Sequence, residues 1–296
     1  MNLSNVTIIV PCYNEEDNLP RVLPIIVDFI NNFNCNVLLV NDGSKDGTPL
    51  ILQEAINNTN IKVISHSKNR GYGAAIKSGI LACSTPYCIT IDGDGQHDLN
   101  DIPRLVAVLE TEQADLVIGN RMGKGSSNFR NLGKWIIKKL TKTFIEIEIS
   151  DLNSGMKLYR TKVATSLIKW APNDMSYSET ISLLHSHFRY KVLEQDIHIF
   201  NREAGQSTIN YKTAIRTVKE ILFLIINFFP FRFFGLVGIL FMTFGALWSI
   251  PFLLNGEGLT IGAGFILSFG FLVFIQGIIL QTLTRLKFEG YTHINN

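Results

Sequence analysis

Charge is scarce in this chain. Charged residues make up 18% of its 296 positions, against roughly 25% in ordinary soluble domains. The shortage is local: between Ile221 and Thr284 only Arg232 and Glu257 are charged, and the remaining chain is ordinarily polar. This excludes a fully soluble protein, a disordered one and a many-pass transporter. It points to a soluble domain of about 200 residues with a membrane tail. Cysteine is also sparse. Cys12, Cys35, Cys83 and Cys88 form no Cys-x-x-Cys pair, which argues against a disulfide framework and a structural zinc site and leaves reduced thiols in or near a core. The net charge of +2 gives no footprint for nucleic acid. The first ten residues have no basic start and run straight into a short apolar strand, so no secretory signal is read and the polar domain is expected in the cytosol. Two nucleotide signatures fail on spacing. Gly71-Tyr72-Gly73-Ala74-Ala75-Ile76 lacks the third glycine of a dinucleotide fingerprint and begins several residues after its strand, and the stretch from Gly119 to Ser126 lacks the Gly-Lys-Ser/Thr ending of a P-loop.

Short apolar, β-branched runs do recur: Val6–Val10, Asn36–Val40, Ile61–Ser65, Tyr87–Ile91 and Asp115–Gly119. Their nearly continuous hydrophobicity fits parallel strands covered on both faces. Helix-patterned segments lie between them, near Asn18–Phe33, Thr48–Asn57, Gly73–Cys83 and Asp101–Glu110. The alternation predicts an α/β domain with a mainly parallel, Rossmann-like sheet, whose ligands bind beyond the carboxyl ends of the strands. The loops at those ends carry charged residues.

Asp92-Gly93-Asp94 is the most informative of them. Two carboxylates flanking a glycine at a strand end can hold a hard divalent cation, Mg2+ or Mn2+, that keeps places for substrate phosphates, and Gln96 can add an amide oxygen. An isolated Asp-x-Asp reads more simply as a helix-capping turn. Its position directly after a buried strand, facing other polar loops, favours the cation.

Pro11-Cys12-Tyr13-Asn14-Glu15-Glu16, Asn41-Asp42-Gly43-Ser44-Lys45-Asp46-Gly47-Thr48 and Asp92-Gly93-Asp94-Gly95-Gln96-His97-Asp98 resemble the signatures of family 2 glycosyltransferases with the GT-A fold. Within that family the chain is most similar to the dolichyl-phosphate mannose synthase and polyprenyl-phosphate glycosyltransferase group. Ile118-Gly119-Asn120-Arg121, Asp151-Leu152-Asn153-Ser154-Gly155 and Asn201-Arg202-Glu203-Ala204-Gly205-Gln206-Ser207 resemble its later motifs. The resemblance implies that Pro11, Tyr13, Glu15 and Asp42 hold the nucleoside of a nucleotide sugar, with backbone contact from Val40. It implies that Asp92 meets ribose or metal across Gly93, that Asp94 and Gln96 bind metal, and that Arg121, Arg130 and Arg202 face phosphates of donor or acceptor. One departure is Thr208, where the family often has a lysine.

The tail reads as a membrane hairpin. Phe233 to Leu254 is uncharged and long enough, at about 1.5 Å per residue, for a hydrocarbon core of roughly 30 Å. Leu259 to Leu283 gives a second span, with Asn255-Gly256-Glu257-Gly258 as the turn. Basic residues flank the spans at Arg216, Lys219, Arg232, Arg285 and Lys287 but are missing from the turn, which places both ends in the cytosol. The expected order is a catalytic domain over 1–210, an amphipathic segment over 211–232, two spans within 233–284 and a short tail over 285–296. Gln276 and Gln281 in the second span can bond to the first helix or to a neighbouring subunit, so the hairpin can also support a homo-oligomer. The stretch from Leu116 to Ile145 has no acid but carries Arg121, Lys124, Arg130, Lys134, Lys138, Lys139 and Lys142, with Leu132, Trp135, Ile136, Leu140 and Phe144 on the opposite helical face. Such a helix either lies on an anionic leaflet or packs its apolar face on the sheet.

Together these features predict a membrane-bound, inverting, metal-dependent enzyme that moves a sugar from a UDP- or GDP-linked donor to polyprenyl (undecaprenyl or dolichyl) phosphate. A lipid phosphate is already anionic and needs no strong base. A hydroxyl acceptor would need one, and Glu179, by resemblance, or Asp151, beside the acceptor site, is the candidate. His97 either orients substrate or starts a helix, and His185 and His187 do not share a helix face. A processive polysaccharide synthase is disfavoured because no Gln-x-x-Arg-Trp occurs. A catalytically silent scaffold would be expected to lose the rim acids, yet Asp42, Asp92 and Asp94 are present.

Overall fold

The computed structural model describes residues 2–121, 149–200, 219, 222–223 and 225–292. The basic segment after Arg121 and the Asn201–Ser207 motif, and with them Arg130, Arg202 and Thr208, lie outside the described residues. The chain divides into two compact units, one carrying the sheet and one carrying the apolar helices.

In the first unit the strands are β1 (Val6–Cys12), β2 (Asn36–Asn41), β3 (Ile61–Ser65), β4 (Tyr87–Thr90), β5 (Leu116–Arg121), β6 (Lys157–Arg160) and β7 (Val192–Ile197). They form one sheet in the order β3-β2-β1-β4-β6-β5-β7. All pairings are parallel except those of β6, which runs antiparallel to β4 and β5. The first five strands lie where the apolar runs predict, but β5 extends to Arg121, so Asn120 and Arg121 end the strand instead of opening the next loop.

Helices α1 (Leu19–Phe33), α2 (Thr48–Ala55), α3 (Tyr72–Ala82) and α4 (Ile102–Thr111) alternate with these strands. On α1, Leu19, Val22, Ile26, Phe29 and Ile30 are buried, the three-and-four spacing of one helical face. Helix α3 packs small residues, Gly73, Ala74, Ala75 and Gly79, into the interior. A Cβ added at Gly79 would fall 2.4 Å from Ile9 Cγ2. Two further helices follow β6: α5 (Thr161–Leu167) and α6 (Tyr177–His187). Every residue of α6 from Tyr177 to His185 is buried, although Ser178, Glu179, Thr180, Ser182 and His185 are polar. Buried polar groups have to find partners inside the protein, and Ser178 finds them in Lys157 and Ser154.

The second unit contains α7 (Pro230–Leu254) and α8 (Ile261–Thr292). They begin three residues before and two residues after the starts expected from composition. Both are long and apolar enough to cross a membrane, and only 22% of each apolar window is buried within the protein. The two helices pack antiparallel. A Cβ on Gly238 would lie 2.7 Å from Gly270 O, and one on Gly270 would lie 2.8 Å from Gly238 O, so the backbones meet where neither residue has a side chain. Gln281 Oε1 accepts the Phe231 N–H at 3.4 Å, tying the second helix to the start of the first.

Candidate active site

Strand order reverses at β1: β2 follows on one side and β4 on the other. In an open α/β sheet that switch point opens a crevice at the carboxyl ends. Here it lies between Pro11 at the end of β1 and the Asp92-Gly93-Asp94 turn after β4. Gly93 is tightly placed, since a Cβ on it would be 3.2 Å from Pro11 O.

One side of the crevice is a stitched pair of loops. Asn14, at φ 54, turns the chain after β1. Its N–H donates to Ser44 Oγ at 3.0 Å, and its side-chain Oδ1 accepts the Lys45 N–H at 2.9 Å. Glu15 N–H donates to Thr48 Oγ1 at 2.8 Å, and Gly47 N–H donates to Glu16 Oε2 at 2.6 Å. Tyr13 stands on this rim with 43% of its surface exposed. Asp42 is buried and turned inward. It accepts His66 Nδ1–H at 2.7 Å and the backbone N–H groups of Arg70 and Gly71 at 2.9 and 2.8 Å. His66 Nε2 in turn meets Ser78 Oγ at 2.9 Å. The carboxylate therefore holds the loop between β3 and α3. Val40 is fully buried in β2, between β1 and β3, so its side chain does not reach the rim.

The Asp92-Gly93-Asp94 turn forms the floor. Tyr72 OH donates to Asp92 Oδ1 at 3.0 Å. Burial and the Asp92 charge push the Tyr72 hydroxyl well above its ordinary pKa, keeping it a donor. His97 Nδ1 accepts the Asp92 N–H at 3.2 Å. His97 thus braces the turn. Asp94 Oδ1 accepts the Gln96 N–H at 3.1 Å, and Gln96 Nε2 lies 3.4 Å from Phe200 O. Among the described residues no group of three or more His, Cys, Asp or Glu side chains converges. The donor set is therefore not a self-sufficient metal cage. Two hard carboxylates and an amide fit a cation that completes its shell with water and phosphate, as Mg2+ and Mn2+ do.

The opposite wall comes from the antiparallel strand. The loop leading into β6 carries Asp151 and Gly155 to the same edge. Gly155 sits on the Asp92 carboxylate so closely that an added Cβ would lie 2.2 Å from Oδ2. Thr90 Oγ1 donates to Gly155 O at 2.8 Å. Lys157, first in β6, is 1% exposed. Its ammonium donates to Leu152 O at 2.8 Å, to Ser178 O at 2.6 Å and to Ser178 Oγ, which uses all three protons. Ser178 Oγ donates to Ser154 O at 2.7 Å. Burial lowers the Lys157 pKa, opposed by the Glu179 and Asp151 charges. The spacing analysis missed this lysine. Its signal was a charged residue opening the otherwise apolar run Lys157-Leu158-Tyr159.

The two candidate bases are held differently. Asp151 is gripped by Arg121, with Nε donating at 2.7 Å to Oδ2 and Nη2 at 2.8 Å to Oδ1. Burial raises the Asp151 pKa, but the hydrogen bonds and charge of Arg121 outweigh it and leave it lowered. Glu179 is raised by burial, with the Lys157 charge opposing. Its Oε2 is shut away from solvent and has no hydrogen-bond partner among the described residues. His185 is packed, not a ligand: Nδ1 meets Ile181 O at 2.7 Å.

Comparison with known proteins agrees with this fold. The chain is 27% identical over 266 residues to the undecaprenyl-phosphate 4-deoxy-4-formamido-L-arabinose transferase of Proteus mirabilis (strain HI4320), covering 83% of this chain and 80% of that protein. It is 28% identical over 253 residues to the protein of the same name from Shewanella sediminis (strain HAW-EB3), covering 84% and 75%. A solved structure with the same fold is glucosyl-3-phosphoglycerate synthase from Mycobacterium tuberculosis in complex with Mn2+, UDP-glucose and phosphoglyceric acid (TM-score 0.57, 17% identity, 73% of this chain and 78% of that one). The sequence model described as "Glycosyl transferase family 2" matches residues 7–167, more than half of the chain. With the GT-A-like sheet and its acidic rim in place, the chain belongs to glycosyl transferase family 2 and is a glycosyltransferase.

Proposed function

We propose that the enzyme moves one sugar from a UDP- or GDP-linked donor onto the phosphate of a polyprenyl lipid at the cytosolic face of a membrane, inverting the anomeric carbon in a single in-line displacement. The observation that carries this reading is the match to two undecaprenyl-phosphate sugar transferases over 83% and 84% of the chain, more than the sheet-bearing unit occupies. Helices α7 and α8, with basic residues at their flanks and none in their turn, would hold the catalytic unit at the cytosolic surface.

In this reading the nucleoside lies on Pro11, Tyr13 and Glu15, over the loop that Asp42 holds. Asp92, Asp94 and Gln96 would hold a Mg2+ or Mn2+ ion, which supplies positive charge against the donor diphosphate. Tyr72 and His97 fix Asp92 from its side chain and its backbone. Arg121 meets a phosphate, as Arg130 and Arg202 are expected to do by resemblance. A phosphate acceptor is ionised at neutral pH, so attack on the anomeric carbon needs no proton removed. The lowered Asp151 and the enclosed Glu179 support that acceptor over a hydroxyl, which would require an accessible base.

The test is transfer by the purified full chain in detergent, offered radiolabelled nucleotide sugars, polyprenyl phosphate and Mg2+ or Mn2+. Acid-labile labelled lipid should form only with metal, and Asp94→Ala should lower turnover by about 100-fold or more. Donor binding without label on polyprenyl phosphate would move the reading to a hydroxyl acceptor. Failure to bind any donor would overturn it.

A further inference from the structure

Arg121 ends β5 on the rim, where it feels the charge of Asp92 as well as Asp151. Its fork is taken by its own chain. Nε and Nη2 grip the two Asp151 oxygens, the Arg121 N–H reaches Asp151 Oδ2 at 3.3 Å, and Nη2 reaches Asn153 O at 3.1 Å. The loop does not depend on this pair for its position. Ser150 N–H and Asp151 N–H both donate to Glu194 Oε1 at 2.8 Å, and Lys157 holds Leu152 O. The Asp151 side chain can therefore leave while its backbone stays. The pair is also reachable, with Arg121 and Asp151 side chains 39% and 17% exposed. Two carboxylate oxygens in a guanidinium fork have the geometry of two phosphoryl oxygens.

We propose that Asp151 is a placeholder anion, occupying Arg121 in the free enzyme and giving way to a phosphoryl group of the substrate. This rests on the reading that Arg121 faces a substrate phosphate. As a positioning residue acting through Arg121, Asp151 keeps the fork oriented before substrate arrives. It also weakens phosphoryl binding by the strength of the pair that must break, which favours release. The phosphoryl group can belong to the nucleotide donor or to the lipid acceptor.

The consequence is opposite in sign to that of losing a base. Asp151→Asn should tighten phosphoryl binding, by about threefold to tenfold for a partly exposed two-bond pair. The full chain in detergent is titrated with UDP and GDP in the presence of Mg2+, and separately with a short polyprenyl phosphate. Whichever probe tightens identifies the source. Arg121→Gln should weaken the same probe, and adding Asp151→Asn to Arg121→Gln should then change nothing further. Asp196→Asn, on β7 and bonded to Asn120, changes the net charge equally without touching Arg121, so it should leave affinity near wild type. Tightening equal to that of Asp196→Asn, tightening that persists without Arg121, or no tightening at all would overturn the exchange. If Arg121→Gln weakens neither probe, Arg121 has no phosphoryl ligand and the exchange falls with it. Nucleotide binding on the β1 and β2 loops would then still stand as a separate result.

Discussion

Gly155→Ala adds one methyl group at the point where the loop before β6 meets the acidic turn. The new Cβ would lie 2.2 Å from Asp92 Oδ2, 2.5 Å from Cγ and 2.6 Å from Oδ1, where ordinary contact begins at 3.4 Å. The carboxylate must therefore retreat by about 1.2 Å, because Gly155 itself is held by Thr90 at its carbonyl. Retreat breaks or stretches the 3.0 Å bond from Tyr72. A 1 Å misplacement of a reacting or positioning group costs about 100-fold in rate, so turnover should fall by about that factor and metal should bind more weakly. Stability should change little, by about 1 kcal/mol, because a side-chain end yields and no backbone has to. Gly71→Ala is the contrasting case. There φ is +100° and the Cβ would meet backbone Asn173 O at 2.3 Å, so the damage should go to folding. Transfer rates across a Mn2+ titration, with thermal unfolding of each variant, separate the two. A Gly155→Ala enzyme with turnover within about threefold of wild type and unchanged metal affinity would refute the role given to the Asp92 carboxylate.

Two more outcomes follow from packing. His185 is fully buried and burial holds its pKa at about 4 against 6.5. The unfolded chain binds a proton that the native state refuses, so its contribution to stability is complete above pH 6.5 and is lost as the pH falls toward 4. Between pH 7 and pH 5 that loss is about 2 kcal/mol, and His185→Leu should remove it from denaturation curves taken at the two pH values. Equal losses in both proteins would place the titration elsewhere. In the helix pair, Gly270→Leu should destabilise the hairpin by about 1–3 kcal/mol in detergent unfolding, since its Cβ meets Gly238 O and Met242 N at 2.8 Å. Gly262→Leu has nothing within 4 Å and should be silent. Similar effects of the two would refute the close crossing.

The strands legible in the sequence were those buried on both faces. Val6–Val10 and Asn36–Val40 read clearly because a covered parallel strand is apolar at every position. Strand β7, Val192-Leu193-Glu194-Gln195-Asp196-Ile197, borders β5 alone among the described strands and is half-exposed along most of its length, so its polar side chains hid it. Strand β6 has four residues with Lys157 and Arg160 at its ends, too short and too charged for the same signal. The acids of the site were visible as acids, but their partners were not. Asp42 is satisfied by groups 24 to 29 residues later, and Asp92 is braced from Tyr72, 20 residues earlier. Such pairings depend on how strands are ordered in the sheet, which residue spacing does not encode.

That ordering explains how one rim carries both halves of the site. In a wholly parallel sheet every strand contributes only the loop that follows it to the carboxyl edge. Because β6 is reversed, its amino end lies on that edge between the carboxyl ends of β4 and β5. The loop before it is then added to the loops after its neighbours. Gly155 reaches Asp92 on the β4 side, and Asp151 reaches Arg121 on the β5 side. The buried Lys157 at the head of the strand fixes that loop to α6 through Ser178. A lysine in a sheet interior is tolerated only when its protons are all accepted, and the three acceptors here belong to the elements that must be held together. The reversed strand therefore brings the wall to the Asp92-Gly93-Asp94 turn, and the lysine keeps it there.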